Sequence, residues 1–207
     1  MVARQKGITM HYRKEFRYED ADFNGKFSPK MEKARDWLKD WRSKHNNLFI
    51  CGNTGCGKTH LAKAFLNELC KTAKKYPAYN GYAEWWDIED VEYVVSKNLF
   101  DTIRTRFSTD RHVSESAKAT VYNWSMAKLL IIDEFGLGYG TESELIELTE
   151  ILDTRWQKGL PTVFLSNTNI AGLAKYLKDR AAQRAFDNAD YVEIKETETL
   201  RRKPREL

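Results

Sequence analysis

Apolar residues recur along this chain with two different periods, which predicts an alternation of helices and strands. Between residues 30 and 41, Met31, Ala34 and Leu38 are three or four positions apart, as is typical of an amphipathic helix. The stretch 47–52 is instead a short, continuous apolar run that ends in glycine, which indicates a buried strand.

The same two patterns can be followed through the rest of the sequence. They predict helices at 30–41, 58–70, 90–107, 143–159 and 170–188. They predict strands at 47–52, 82–88, 127–136, 161–167 and 190–195. Because strands that alternate with helices form parallel sheets covered on both faces, we expect an α/β fold with a central five-stranded parallel sheet flanked by helices.

Composition narrows the class of protein. The 207 residues are 42% hydrophobic and 31% charged, which fits one globular domain. No stretch approaches the roughly 20 apolar residues of a membrane helix, and the first residues lack the apolar centre of a secretory signal. Cys51, Cys56 and Cys70 form no CxxC pair, so we expect reduced thiols and a cytoplasmic location without membrane contact.

A glycine-rich stretch follows the first predicted strand and opens the next helix. It fits the pattern GxxxxGK[ST], in which glycines let backbone N–H groups converge on phosphates at a helix N-terminus. Lys58 would neutralise the β- and γ-phosphates of ATP, and the Thr59 hydroxyl would bind Mg²⁺. The residues expected to bind the nucleotide are Gly52, Asn53, Thr54, Gly55, Cys56, Gly57, Lys58 and Thr59.

Two acids and an amide follow other predicted strands of the sheet. Asp133 and Glu134 end the apolar run 129–132, at the strand end where α/β proteins bind ligands. We expect Asp133 to hold Mg²⁺ through water and Glu134 to polarise the water that attacks the γ-phosphate. Asn167 ends the strand 161–167, where it either contacts the γ-phosphate or simply forms a turn.

In combination, these motifs resemble those of the AAA+ ATPases of the bacterial helicase-loader type, DnaC and DnaI, and of the related IstB transposition ATPases. The resemblance lies in "CGNTGCGKTHLA", "LLIIDEFG" and "TVFLSNTN", which match the family's Walker A, Walker B and sensor 1 segments. It implies a P-loop fold without a C-terminal lid domain, a basic N-terminal segment at 1–22 and an ATPase domain at 23–207. It also adds His60 to the nucleotide-binding residues.

The resemblance further implies arginines that act in catalysis. The segment "DRAAQRAF" matches the position of the arginine finger, which favours Arg184 over Arg180, and "TETLRRK" points to Arg201 as the sensor 2 arginine. A planar, permanently charged guanidinium suits the charge that develops on the γ-phosphate. The alternative for Arg180 and Arg184 is a solvated helix face.

A basic segment between the second and third predicted strands is a candidate DNA contact. Arg104, Arg106, Arg111 and Lys118 lie there among aromatic residues, in a region that related initiators and loaders turn towards DNA. Alternatively, Phe100 and Phe107 do not contact DNA and lie on the buried face of a helix.

Taken together, the residues and the resemblance predict an ATP-dependent replication protein. We expect a helicase loader that uses ATP and Mg²⁺, assembles with copies of itself, and binds single-stranded DNA and a replicative helicase. The alternatives are an IstB-like transposition ATPase, a P-loop small-molecule kinase and a nucleotide-binding regulator that hydrolyses little ATP.

Overall fold

The computed structural model of the chain describes residues 21–76, 85–87, 90–136, 141–177 and 179–194. The helices are α1 Pro29–Lys39, α2 Lys58–Thr72, α3 Ser96–Thr105, α4 Arg111–Met126, α5 Glu142–Gln157, α6 Ile170–Tyr176 and α7 Asp179–Phe186. The strands are β1 Leu48–Gly52, β2 Lys74–Tyr76, β3 Trp85–Asp87, β4 Val91–Val95, β5 Leu129–Asp133, β6 Thr162–Ser166 and β7 Asp190–Ile194. None of the helices in these ranges is long and apolar enough to cross a membrane.

Five parallel strands form the central sheet, as the sequence predicts. Their order is β4-β5-β6-β1-β7, so β6 lies between β1 and β5. The carboxyl ends of β1, β5 and β6 therefore meet at one edge, which we call the carboxyl edge. The opposite side, where the same strands begin, is the amino edge.

Apolar side chains cover both faces of this sheet. On one face, Ile50 and Ile131 pack with residues of α1 and α2, including Leu38 and Leu66. On the other face, residues of β1, β5 and β6 pack with α3, α4, α5, α6 and α7. The α/β class expected from the alternating pattern is thus confirmed.

One predicted strand is not part of this sheet. Residues Trp85–Asp87 of the predicted strand 82–88 pair antiparallel with β2 in a separate two-stranded ribbon. The fifth strand of the central sheet is β4, which lies within the helix predicted at 90–107. Val91 and Val94 are buried in the core, and their β-branched side chains favour a strand. The helix begins only at Ser96, and α3 buries Leu99, Phe100 and Ile103.

Two further helical features differ from the expectation. The pattern predicts no separate helix at 111–126, where α4 buries the small residues Ser114 and Ala117 besides Val121 and Trp124. Asp110 caps α4 by accepting hydrogen bonds from two backbone N–H groups. The helix predicted at 170–188 is two helices, α6 and α7.

Candidate nucleotide site

The glycine-rich loop joins β1 to α2 at the carboxyl edge. Gly57, the N-cap of α2, has a φ of 100°, a left-handed conformation that side chains other than glycine rarely adopt. A Cβ on Gly52 would lie 2.7 Å from the carbonyl oxygen of Ile194. Because no side chain caps α2, its first N–H groups remain available to an anion.

Lys58 is the first residue of α2, and its ammonium folds back over the loop. Its Nζ donates hydrogen bonds to the carbonyl oxygens of Gly52 at 2.7 Å and Asn53 at 3.0 Å. It also lies 3.5 Å from Sγ of Cys56, and the residue is 7% exposed. The ammonium is therefore held inside the curve of the loop, where it can exchange carbonyl oxygens for phosphate oxygens.

Asp133 ends β5, at the same edge as the loop, and is 3% exposed. Its Oδ1 accepts a hydrogen bond from the backbone N–H of Glu134 at 2.8 Å, and its Oδ2 accepts one from the Tyr93 hydroxyl at 2.7 Å. Burial lowers the pKa of nearby Lys63 on α2, while the negative charge of Asp133 acts in the opposite direction. Asp133 is thus held by two hydrogen bonds, and its charge interacts with that of Lys63 on α2.

Glu134 has an unusual backbone conformation. Its φ is 55°, in the left-handed region, and its side chain is exposed. The next residue, Phe135, donates its N–H to the carbonyl oxygen of Leu165 at 2.8 Å. The backbone after β5 is thereby fixed to β6, which directs Glu134 outward at the carboxyl edge.

Asn167 follows β6, the strand between the glycine-rich loop and the acids. Its neighbour Ser166 is fully buried, donates to the carbonyl oxygen of Phe135 at 2.7 Å and accepts from the N–H of Thr168 at 3.0 Å. Asn167 itself is exposed. The structure therefore brings the predicted loop residues, Asp133, Glu134 and Asn167 to one edge of the sheet.

A second group of side chains borders the start of α2, and it includes His60, which the resemblance predicts to bind the nucleotide. The rings of Phe27 and His60 lie 6.2 Å apart, centroid to centroid. The guanidinium of Arg35 lies 5.6 Å from the centre of the Phe27 ring, and its Nη1 donates to the carbonyl oxygen of Gly25 at 3.1 Å. These planar groups are suited to stack against a nucleobase. No motif marks Arg35, because its contact with Phe27 exists only in the fold.

Within the described ranges, no group of three or more His, Cys, Asp or Glu side chains is arranged to hold a metal ion. The Thr59 hydroxyl and the Asp133 carboxylate are hard oxygen ligands, the type that Mg²⁺ prefers.

Arg184 and Arg180 lie on α7, far from this site. The carboxylate of Asp153 on α5 holds both, with 2.6 Å to Nε of Arg184 and 2.6 Å to Nη2 of Arg180. The Arg184 guanidinium also lies 3.9 Å from the centre of the Trp156 ring. Asn47, just before β1, donates to the carbonyl oxygen of Arg184 at 3.0 Å. Arg184 is therefore at the amino edge, a strand length of roughly 15 Å from the glycine-rich loop of its own chain.

The four candidate DNA contacts lie on or beside α3 and α4. Nε of Arg104 is 2.6 Å from Glu144, and Arg106 is paired with Glu147, so both link α3 to α5. Lys118 is 3.0 Å from Glu115, and Arg111 is exposed. Phe100 is 2% exposed and belongs to the core, whereas Phe107 is 69% exposed. Of the two phenylalanines, Phe100 alone thus lies on the buried face of a helix.

Arg201, the predicted sensor 2 arginine, lies outside the described residues.

Comparison with known proteins places these features in a family. The family model described as IstB-like ATP binding protein matches residues 9–206. The replicative helicase loader DnaC of Escherichia coli (strain K12) is 26% identical over 154 residues, which are 74% of this chain and 56% of DnaC. A protein of Sinorhizobium fredii (strain NBRC 101917 / NGR234), described as insertion sequence ATP-binding protein y4pL, is 26% identical over 171 residues, 80% of this chain and 61% of y4pL. The chain thus spans little more than half the length of these curated relatives.

Solved structures agree on the fold. The crystal structure of DnaI superposes with a TM-score of 0.61 at 22% identity, covering 86% of this chain and 89% of DnaI. The expected resemblance to AAA+ ATPases of this group is therefore confirmed. The match over residues 9–206 includes the glycine-rich loop, the acidic strand end and Asn167, and with it the chain belongs to the family of IstB-like ATP binding proteins.

Proposed function

We propose that this chain is an ATP-hydrolysing AAA+ protein that assembles with copies of itself and acts on DNA as a helicase loader. One observation carries the nucleotide chemistry. The glycine-rich loop, Asp133, Glu134 and Asn167 lie at the ends of three adjacent strands, although up to 115 positions separate them in the sequence.

In the proposed reaction, the N–H groups of the loop and the Lys58 ammonium bind the β- and γ-phosphates of ATP. Thr59 and Asp133 would hold Mg²⁺, which supplies positive charge to the phosphate oxygens. Glu134 accepts the proton of the attacking water, because it is exposed beside Asp133 and its backbone is fixed. Asn167 orients that water or donates to the γ-phosphate.

This assignment is tested with two variants at the same edge. Lys58→Ala removes the charge that meets the phosphates, so ATP binding should be lost. Glu134→Gln keeps the size of the side chain, so ATP binding should remain while turnover falls by at least about 100-fold. Normal steady-state hydrolysis by the Glu134→Gln protein would exclude Glu134 as the base.

Self-assembly is supported by the position of Arg184. Since this arginine lies at the amino edge of its own subunit, it can reach a γ-phosphate only in a neighbouring subunit. Arg184→Ala should bind ATP but hydrolyse it poorly, and mixing it with Lys58→Ala protein should restore part of the activity. Arg180→Ala is the matched control, because Arg180 shares Asp153 but is 65% exposed at its side chain. Lack of complementation would remove the arginine finger from the proposal.

For DNA binding, the exposed candidates are Arg104, Arg111 and Lys118, while Arg106 is partly buried against Glu147. Arg104→Ala combined with Arg106→Ala should weaken single-stranded DNA binding. It should also flatten the dependence of log affinity on log salt by about 0.7 per lost phosphate contact. Glu144→Gln should act in the opposite direction, because it removes one of the two carboxylates that pair with Arg104 and leaves Asp101 as the other. An unchanged salt slope, measured by fluorescence anisotropy, would move the DNA site elsewhere.

A second candidate function is transposition, and the family match itself favours it. An IstB-like ATPase would prefer duplex over single-stranded DNA and would bind a transposase rather than a replicative helicase. Affinity purification from the native host, followed by identification of the bound protein, distinguishes the two. The family match offers no support for the small-molecule kinase alternative.

A further inference from the structure

Tyr93 is a tyrosine of the edge strand β4 whose hydroxyl reaches the nucleotide site. In the parallel pairing of β4 with β5, Tyr93 is opposite Ile131 and Val95 is opposite Asp133. Since side chains alternate along a strand, Tyr93 and Asp133 project from the same face of the sheet as diagonal neighbours. A tyrosine is long enough to span this diagonal, and its Oη lies 2.7 Å from Oδ2 of Asp133.

This bond is one of two that hold the Asp133 carboxylate. The backbone N–H of Glu134 is 2.8 Å from Oδ1, so each carboxylate oxygen accepts one hydrogen bond from a different direction. Two such bonds restrict rotation of the carboxylate plane and leave a further lone pair on each oxygen. The Glu134 bond is local, between adjacent residues, whereas the Tyr93 bond ties the carboxylate to another strand.

We propose that Tyr93 is a positioning residue for the divalent cation that accompanies ATP, an inference that rests on the proposed function. Its hydroxyl fixes the orientation in which Asp133 presents its free lone pairs at the carboxyl edge. Hydrogen bonds that orient a metal-binding carboxylate typically change metal affinity or activity 10- to 100-fold. The ring of Tyr93 also packs against the core, so the hydroxyl is the part that distinguishes positioning from packing.

The test is Tyr93→Phe, which keeps the ring and removes only the hydroxyl. Binding of a non-hydrolysable ATP analogue is measured by calorimetry, both in excess EDTA and over a series of Mg²⁺ concentrations. We expect unchanged affinity in EDTA, because Lys58 and the loop are untouched. The Mg²⁺ concentration at half effect should rise roughly tenfold or more. Mn²⁺ binding, followed by electron paramagnetic resonance with the analogue present, should weaken by a similar factor.

Tyr191→Phe is the matched control, because its hydroxyl lies 3.0 Å from Sγ of Cys51 and contacts no carboxylate of the site. It should retain the wild-type Mg²⁺ midpoint. An unchanged midpoint in Tyr93→Phe, together with a normal Mg²⁺ effect in the wild type, would overturn this inference alone. If the wild type showed no Mg²⁺ effect and Lys58→Ala still bound the analogue, both this inference and the proposed function would fail.

Discussion

The two edges of the central sheet use polar residues in opposite ways. At the carboxyl edge, Glu134 and Asn167 are exposed, and the Lys58 ammonium contacts atoms of the loop itself. At the amino edge, polar side chains are bonded within the subunit: Asn47 alone contacts the carbonyl oxygens of Arg184 and Ala185 and the N–H of Thr162. One edge keeps its groups available to a ligand, and the other uses them to join helices and strands.

Backbone conformation repeats this contrast. Three residues other than glycine have a positive φ: Asp90 and Asn188 before strands at the amino edge, and Glu134 at the carboxyl edge, among the described residues. Asp and Asn tolerate the left-handed region because their short side chains bond locally, whereas glutamate does not. At the carboxyl edge, Glu134 therefore has a backbone conformation that is unfavourable for its residue type and does not contribute to stability.

The largest expected effect is at the amino edge. Arg155 is 1% exposed and donates to Thr162 Oγ1 and to the carbonyl oxygens of Trp124, Ala127 and Pro161. Arg155→Met removes the side-chain donor to these buried acceptors, of which the carbonyl oxygen of Pro161 also accepts from the N–H of Leu130, so the free energy of unfolding should fall by about 3–5 kcal/mol. Urea unfolding measures this loss, and Lys158→Met, at an exposed position nearby, should change it by less than about 0.5 kcal/mol. A small effect at Arg155 would contradict the contrast between the edges.

The next effect depends on pH and concerns Glu92, the second residue of β4. Burial raises the pKa of its carboxyl to about 7, from an ordinary value of 4.5. The folded chain therefore holds this proton up to about pH 7, whereas the unfolded chain releases it near pH 4.5. This carboxyl therefore leaves the free energy of unfolding unchanged below pH 4.5 and lowers it as the pH rises from there to about 7.

Glu92→Gln removes this cost, so it should stabilise the protein at pH 8 by at most about 3 kcal/mol and leave it unchanged at pH 4. Thermal unfolding at both values provides the measurement. Glu150→Gln, an exposed acid on α5, should show no such pH dependence. Equal effects of Glu92→Gln at pH 4 and pH 8 would mean that the carboxyl is not buried as described.

A smaller effect is expected from a substitution of Asp153, which binds Arg184 at the amino edge. Asp153 binds both Arg180 and Arg184 within the subunit, so it competes with any neighbour for Arg184. Asp153→Asn should lower the protein concentration at half-maximal ATPase activity roughly five- to tenfold, equivalent to about 1 kcal/mol. Asp187→Asn, an exposed acid at the same edge, is the control. A higher concentration requirement would mean that Asp153 orients Arg184 for the neighbour instead of withholding it.

The smallest expected effect is a gain of stability from a substitution of Glu134. Glu134→Gly relieves a left-handed conformation that costs about 1–2 kcal/mol, but it adds unfolded-state entropy worth about 0.5–1 kcal/mol. The net result should be about 0.5–1 kcal/mol of added stability in urea unfolding, with turnover lost. Asn188→Gly, at the amino edge, should add almost none, because Asn tolerates its φ of 61°. Destabilisation by Glu134→Gly would remove strain from the description of the carboxyl edge.

The sequence by itself determined the parts of the site that are contiguous. The glycine-rich loop, the acids after an apolar run and Asn167 after another are each recognised within about ten residues, because phosphate binding needs a strand, a turn and a helix start in direct succession. The alternation of elements also predicted a five-stranded parallel sheet. It misassigned one strand, since the short run Val91–Val95 leads directly into a strongly periodic helix.

Only the tertiary structure decided which polar side chains are available. Arg155, an ordinary basic residue in an amphipathic pattern, is buried because four acceptors from the end of α4 and the start of β6 converge on it. The structure likewise joins Tyr93 to Asp133 across 40 positions and Arg184 to Asp153 across 31. Such contacts leave no periodic signal, because they depend on strand order and helix packing and not on local spacing. The glycine-rich motif was therefore visible in the sequence, and the contacts that surround it were not.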